Sequence, residues 1–234
     1  MTPAELYATL DATWPAATTH RAGPWLVRDG QGGGKRVSAV TVAAPWAADD
    51  IPRAEAAQAA LGQPALFMLR AGDAALDAEL ERRGYAVVDP VTGYAMDLGG
   101  LEPAPPMSAF AHWPPLGIAE DLWAEGGIGP ARLAVMHRVA GPKTAILGRQ
   151  NDRASGVAFI AIHGETAMLH GLEVTPSQRR QGSANNILRC AAAWAQDQGT
   201  KRFSLVVTTG NDPARRLYAS FGMRSVGQYH YRMK

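Results

Sequence analysis

The sequence predicts a mixed α/β (α+β) protein of two domains, each with a mixed, mostly antiparallel sheet flanked by helices. Three observations lead to this fold class. Short apolar strand patterns alternate with amphipathic helix patterns along the chain. Several strand patterns follow one another through short turns, which is typical of antiparallel pairs. A proline-rich stretch near the middle separates two halves, and 234 residues suffice for two modest cores.

The proline-rich stretch is Leu101–Pro106, with three prolines in four positions. It can continue neither a helix nor a central strand, because proline lacks an amide hydrogen and fixes its φ angle. We therefore predict one domain at residues 1–100, a Pro-rich linker at 101–106 and a second domain at residues 107–234.

In the first half, Pro24–Arg28 and Lys35–Ala43 both have strand patterns, and the glycine-rich stretch Gly30–Lys35 connects them. This stretch lacks the residues of a nucleotide loop: Arg36 stands where a phosphate-binding loop has Ser or Thr. A flexible hairpin connection is the preferred interpretation, and a substrate-contacting loop is the alternative.

The two halves contain an internal repeat of predicted elements. Ala65–Asp73 and Phe203–Asn211 both indicate a strand that runs into the start of a helix. A helix pattern and a closing strand follow each of them, the strands at Tyr85–Leu98 and Arg224–Met233. The matching order of elements predicts tandem copies of one fold.

In the second half, the patterns predict two short helices and then three strands. The helices are expected at Ile118–Glu125 and Pro130–Val139, and the strands at Lys143–Arg149, Ser155–His163 and Ala167–Val174. Short turns separate the strands, which predicts an antiparallel meander ahead of the next helix.

The junction between the last of these strands and the following helix pattern is the most informative feature of the chain. Its small-residue loop runs from Gln178 to Ala184. Amides at a helix start lack partners and the helix dipole favours an anion there, while Gly182 and Ala184 allow close approach. Arg179 and Arg180 would oppose the dipole of an unoccupied helix start. We predict a phosphate-binding loop; the alternative is two solvated arginines on a surface turn.

The loop pattern Arg179-x-x-Gly182-x-Ala184 resembles that of the GCN5-related N-acetyltransferase (GNAT) family. The flanking sequences resemble it too, with Leu172-Glu173-Val174 before the loop and Asn211-x-Pro213 through Gly222-Met223 after it. The close resemblance covers about residues 166–233, and a looser one begins at about residue 107. It implies acetyl-CoA as co-substrate, with its pyrophosphate on the loop amides. The cofactor-binding residues that it implies are Leu172, Val174, Arg179, Arg180, Gln181, Gly182, Ser183, Ala184 and Asn211.

Acyl transfer to an amine needs a base for the ammonium group and an acid for the departing thiolate. Tyr218 matches the family tyrosine that protonates the sulfur; its alternative role is a packed aromatic side chain. Glu173 is the predicted base, acting through water, although a regular strand could point it to the other face. A bulge, usual in the family, would change that. His170 is the alternative base.

The first half lacks the matching chemistry. At an offset of 138 residues, Leu80 aligns with Tyr218 and Asp73 aligns with Asn211. No comparable loop occurs in the interval that contains Ala43–Asp50. We expect residues 1–100 to be a degenerate, cofactor-free copy of the GNAT-like domain.

Composition narrows the remaining functions. The net charge is only +2, without a basic block, which argues against nucleic-acid binding. Cys190 is the only cysteine and sits among alanines, which favours a buried side chain over a nucleophile. No His/Cys/Asp spacing indicates a metal site. No signal or membrane-spanning pattern occurs, so we expect a cytoplasmic protein that does not bind membranes.

We therefore expect an N-acetyltransferase that moves an acetyl group from acetyl-CoA, by direct attack, to an amine of a small molecule or a protein. The acceptor is not identified, and a homodimer is left open. We predict that Trp113, Trp123 and the loop after Gly126 shape the acceptor pocket. One alternative is a non-catalytic CoA-binding regulatory or scaffolding protein. Another, given little weight, is nucleic-acid binding through Arg179, Arg180 and Arg189.

Overall fold

The computed structural model describes residues 1–234 and contains eight α-helices and eleven β-strands. The elements of the first half are α1 (Pro3–Thr13), β1 (Thr18–Ala22), β2 (Trp25–Asp29), α2 (Lys35–Ser38), β3 (Thr41–Val42), α3 (Ile51–Ala60), β4 (Leu66–Leu69), α4 (Ala74–Arg82) and β5 (Ala86–Asp97). Those of the second half are β6 (Ala109–His112), α5 (Gly117–Glu125), α6 (Pro130–Arg138), β7 (Lys143–Gln150), β8 (Arg153–His163), β9 (Thr166–Val174), α7 (Ser183–Asp197), β10 (Arg202–Thr208), α8 (Asp212–Ser220) and β11 (Arg224–Met233).

Eight strands form one mixed sheet in the order β4-β11-β5-β10-β9-β8-β7-β6, and β1, β2 and β3 form a small separate sheet. Every neighbouring pair in the large sheet is antiparallel except β9 and β10, which are parallel. The crossover between the parallel strands is α7, as parallel pairs require. The predicted mixed, mostly antiparallel sheet flanked by helices is therefore confirmed.

Both faces of the large sheet are covered. Along β8, Ala158 and Ile160 belong to a buried cluster with residues of α7 and α8. Their neighbours Val157 and Phe159 belong to a second cluster with residues of α5 and α6. Because side chains alternate between faces along a strand, the two clusters lie on opposite sides of the sheet.

We expected one mixed sheet in each half of the chain. Instead, the two halves share the large sheet. β5, from the first half, lies between β10 and β11, and β11 in turn pairs with β4. Each half thus supplies a strand that the other half needs as a neighbour. The linker at 101–106 joins β5 to β6, and the domain boundaries drawn from it stay a prediction.

The internal repeat is also visible in the spacing of the helices and strands along the chain. α4 and α8 begin at residues 74 and 212, and β5 and β11 begin at residues 86 and 224, both 138 residues apart. β4 also makes an isolated parallel bridge between Phe67 and Val40, next to β3. It resembles the parallel pairing of β10 with β9, which ends at Leu205 and Leu169.

The predicted strand at Lys35–Ala43 is wrong over its first part. Lys35–Ser38 form the helical turn α2, and only Thr41–Val42 are a strand. Gly34 has a φ angle of 98°, which reverses the chain after β2, and α2 then buries Val37 completely. The stretch Gly30–Lys35 therefore leads into a helix and is no simple hairpin.

In the second half, the predicted helices and meander strands agree with α5, α6, β7, β8 and β9 to within two residues at each end. No helix in the structure is both long enough and apolar enough to span a bilayer.

Candidate functional site

A split in the large sheet positions the site. The parallel pairing of β9 with β10 stops at Leu169 and Leu205, so the two strands part beyond those residues. At the same point β9 has a bulge, because Glu173 and His170 lie opposite Val157 and Phe159, which are only two positions apart. The bulge contains Gly171, whose φ angle is 55°.

The bulge decides where Glu173 points. Residues three apart on a regular strand face opposite sides, but Val157 and Phe159 share a face, and so do their partners Glu173 and His170. The indole of Trp123 holds the bulge by donating to the carbonyl oxygen of Gly171 at 2.7 Å. Glu173 therefore lies on the face covered by α5 and α6.

The predicted phosphate loop opens α7. Gly182 precedes the helix in a left-handed conformation with φ 90°, and Arg180 also has a positive φ of 60°. Asn186 is the first residue whose amide donates into the helix, to the carbonyl of Gly182 at 3.0 Å. The amides of residues 180–185 donate to no carbonyl, so the loop offers several free donors at a positive helix end.

These donors face a cavity of about 600 Å³, here called the loop cavity. Ten predicted site residues line it: Leu172, Glu173, Val174, Arg179, Arg180, Gly182, Ser183, Ala184, Asn211 and Tyr218. Gln181 is predicted but absent from the lining, because its side chain bonds Ser177 and Asn151 instead. Five further lining residues were not predicted as site residues, although four of them lie within the quoted motifs: Gln178, Asn185, Pro213, Ala214 and Leu217.

Several lining residues have defined local roles. Asn211 caps α8, since its Oδ1 accepts from the amide of Ala214 at 3.2 Å. Arg179 donates from Nε to the carbonyl of Val174 at 3.0 Å, so that carbonyl is already bonded. The hydroxyl of Ser183 is buried without a partner at the start of α7, as expected where a ligand oxygen is to be bound.

Tyr218 lies on α8 and is 7 % exposed. Its hydroxyl makes no hydrogen bond within the protein, and burial, with a smaller effect of the Glu173 charge, raises its pKa to about 12. The phenol therefore stays protonated at neutral pH and is available as a donor.

Glu173 packs over Gly126, where an added Cβ would lie 2.7 Å from the Glu173 Cγ. Partial burial raises the pKa of its carboxyl, and the charges of Arg179 and Arg132 oppose this shift. A raised pKa brings a carboxylate closer to the range of a useful base.

His170, the alternative base, is buried with both ring nitrogens occupied. Nε2 lies 2.9 Å from the hydroxyl of Thr13, and Nδ1 lies 3.1 Å from Nη1 of Arg36. Burial, reinforced by the Arg36 charge, holds its pKa well below 6.5. It has no free nitrogen to offer an acceptor.

A second cavity, of about 240 Å³, is here called the arginine cavity. Arg36 from α2 and Arg132 from α6 line it, together with Ile128 from the loop after Gly126. Neither Trp113 nor Trp123, both predicted to shape an acceptor pocket, is among its lining residues. Trp123 is fully buried and Trp113 packs on Phe159.

The remaining singled-out side chains lie apart from these cavities. Cys190 is half-buried, and burial raises its thiol pKa, as in an unreactive cysteine. Arg189 pairs with Glu102 of the linker at 3.3 Å. No group of three or more His, Cys, Asp or Glu side chains is placed to hold a metal ion.

Comparison with known proteins finds a similarity to one family. Residues 110–223 match the acetyltransferase (GNAT) family. The chain is 25% identical over 241 residues to the uncharacterized N-acetyltransferase YobR of Bacillus subtilis (strain 168), covering 95% of each protein.

Two solved structures share the fold. A GCN5-related N-acetyltransferase from Kribbella flavida has a TM-score of 0.68 and 20% identity, covering 99% of this chain and 95% of that one. A tandem GNAT protein from the clavulanic acid biosynthesis pathway has a TM-score of 0.58 and 13% identity, covering 84% of this chain and 74% of that one. At these identities the likeness concerns the fold.

Proposed function

We propose that this protein, whose residues 110–223 match the acetyltransferase (GNAT) family, transfers an acetyl group from acetyl-CoA to an amine by direct attack. One observation carries the proposal: the free amides before α7, Tyr218 and Glu173 all border the loop cavity. A phosphate-binding loop, a proton donor and a raised-pKa carboxylate are what direct acyl transfer requires.

The loop residues suit the pyrophosphate of coenzyme A. Free amides at a helix start bind anionic oxygens, and Arg179 and Arg180 add positive charge. The unpartnered hydroxyl of Ser183 adds a further polar group. The pantetheine arm would run along Leu172 and Val174 toward the split between β9 and β10.

The transfer forms a C–N bond and breaks the C–S bond of the thioester. Glu173 takes a proton from the acceptor ammonium, directly or through water, before attack. The departing thiolate takes the hydroxyl proton of Tyr218. The attacking nitrogen loses its second proton as the amide forms, and this proton returns to Tyr218 directly or through solvent. An alkylammonium titrates near 10, so this base step is needed at neutral pH.

The first half is proposed to be a degenerate tandem copy that binds no cofactor. The 138-residue spacing and the parallel bridge between Val40 and Phe67 support this arrangement. Leu80, which takes the place of Tyr218, is fully buried in the core of the first half. A solved protein with a related fold is itself described as a tandem GNAT protein.

Calorimetric titration of the full chain with acetyl-CoA tests the donor site, and we expect roughly micromolar affinity. Thiol release in the presence of a panel of amines then tests turnover. Absence of acetyl-CoA binding at concentrations far above that range would reject the donor. Binding without amine-dependent thiol release would instead support the non-catalytic, regulatory alternative.

A further inference from the structure

The arginine cavity borders the same sheet split as the loop cavity. His170 and Gly171 of β9 line the arginine cavity, and the next residues, Leu172–Val174, line the loop cavity. On the other side of the split, Val206–Thr208 of β10 line the arginine cavity. A molecule bound there lies within reach of a thioester held along β9.

The charge in the arginine cavity is unbalanced. Lys35 pairs with Asp89 at 2.9 Å, and Asp89 is the only carboxylate among the lining residues. Neither Arg36 nor Arg132 is in a salt bridge, and the carboxylate that the Arg132 charge influences is that of Glu173, which lines the loop cavity. The Arg36 guanidinium is partly removed from water, which is costly unless an anion accompanies it, so the cavity is suited to a negative ligand.

Two buried polar atoms in this cavity's lining residues also lack partners. The Nε of Arg36 is one, and the hydroxyl of Tyr229, a residue only 3 % exposed, is the other. Buried polar atoms in native proteins almost always have a partner. Both residues line the cavity beside Tyr231, a polar neighbour of both, so an oxyanion bound there would give them a charged acceptor.

Arg36 is also held in place before any ligand arrives. Its Nη1 bonds His170, and its guanidinium carbon lies 5.6 Å from the ring centre of Trp14. A positioned guanidinium binds an oxyanion through parallel hydrogen bonds and loses less conformational freedom than a mobile side chain.

We propose that the acceptor is a small amine that also carries an oxyanion, a carboxylate or a phosphate, and that Arg36 and Arg132 bind this group in the arginine cavity. The inference rests on the proposed acetyl transfer and names its substrate class. A cavity of about 240 Å³ suits a small molecule better than a protein segment. Arg36 lies in α2, so the first half takes part in acceptor recognition.

The test compares matched amines under saturating acetyl-CoA. L-amino acids are paired with their amino amides, and aminoalkyl phosphates with the corresponding amino alcohols. We expect kcat/KM for the better anionic class to exceed that of its neutral partner by about 10- to 100-fold, the effect of a charge-assisted hydrogen bond. The two pairs distinguish carboxylate from phosphate.

Arg36→Gln and Arg132→Gln should each remove most of this preference by raising KM for the anionic amine, with little change for the neutral one. Arg53→Gln is the matched control, because Arg53 is exposed on α3 and lines neither cavity. Unchanged KM for acetyl-CoA shows that the variants are folded. Since Arg132 is exposed, its variant tests the idea even if Arg36→Gln is unstable.

Calorimetric titration of the CoA-bound protein with the same amines gives a second measurement. Equal or better use of the neutral amines, or no response to the anionic ones in either assay, overturns the proposal while acetyl-CoA binding stands. Loss of acetyl-CoA binding itself would instead reject the proposed function.

Discussion

Arg36 and His170 are 134 positions apart in the chain, yet Nη1 of the arginine lies 3.1 Å from Nδ1 of the histidine. A guanidinium can only donate, so Nδ1 is the acceptor and the ring proton of neutral His170 resides on Nε2. Nε2 then donates to the Thr13 hydroxyl at 2.9 Å, and that hydroxyl donates to the carbonyl of Thr9 at 2.7 Å. This chain requires an uncharged histidine.

Stability should therefore depend on the charge of His170. Its pKa is well below 6.5 in the folded state, whereas an unfolded histidine takes up a proton as pH falls through 6.5. The unfolded state then binds more protons, so stability is full above that pH and is lost progressively below it. Urea unfolding at pH 7.5 and at about pH 5 should show a loss of roughly 1 to 2 kcal/mol from this residue.

His170→Gln should flatten this pH dependence, because glutamine does not titrate. It should also raise KM for an oxyanion-bearing amine, since Arg36 loses the residue that positions it, while KM for acetyl-CoA stays unchanged. His112→Gln is the control, because His112 is exposed. An unaltered pH slope in His170→Gln would show that His170 has another protonation state.

Local sequence signals predicted much of the fold. Glycine, proline and period-based patterns located the helices and strands of the second half. The same kind of signal marks α1, where Thr2 and Glu5 form a capping box around Pro3, yet this helix was not predicted. The positions of β5 and β11, each of which pairs with a strand of the other half, could not be predicted, because strand pairing depends on contacts between residues far apart in sequence.

The candidate site also has a part that local sequence predicts and a part that only folding brings together. The loop at 179–184 is continuous in sequence, so its residue types were sufficient to predict its place at the start of a helix, and its phosphate ligand stays a prediction. The arginine cavity instead joins Arg36, Arg132 and Tyr229, which are brought together only by folding. Local signals near it were Gly30–Lys35, His170 and the loop after Gly126, since Gly33, Gly34, His170 and Ile128 line the cavity.

Gly182→Glu should abolish acetyl-CoA binding and leave the fold largely intact. The change places an anion beside the free amides that would bind the pyrophosphate, and the φ of 90° adds backbone strain. An added Cβ meets no atom within 4 Å, so packing is unaffected. Gly182→Ala is the matched control for strain alone. Calorimetry should show a far smaller loss for alanine, and equal losses would attribute the effect to the backbone.

Gly126→Ala should lower turnover through Glu173. Gly126 has a φ of −79°, which alanine adopts readily, but its Cβ would lie 2.7 Å from the Glu173 Cγ and displace the carboxylate. We expect kcat to fall by about tenfold or more, because misplaced catalytic groups lose much of their effect, with unchanged acetyl-CoA affinity. Gly127 follows it, but its φ of 80° makes it unsuitable as a control.

Gly117→Ala serves as the control, since an added Cβ there meets nothing within 4 Å. Glu173→Gln should reproduce the loss of kcat and also remove the acidic limb of the pH–rate profile, which reports the base. Full activity of both Gly126→Ala and Glu173→Gln would show that another group, or water alone, accepts the proton.

Tyr218→Phe should separate chemistry from binding. A phenol with a pKa of about 12 remains protonated throughout the assay range, so the substitution removes a proton donor and little else. Turnover should fall by roughly 10²–10⁴-fold, the usual effect of a lost general acid, while acetyl-CoA affinity is retained. Tyr94→Phe is the matched control: its ring lies 6.1 Å from that of Tyr218, it is also buried, and it does not line the loop cavity. If Tyr218→Phe keeps full turnover across a pH series, the thiolate leaves without this tyrosine, and the hydroxyl that faces the loop cavity without a partner has a different role.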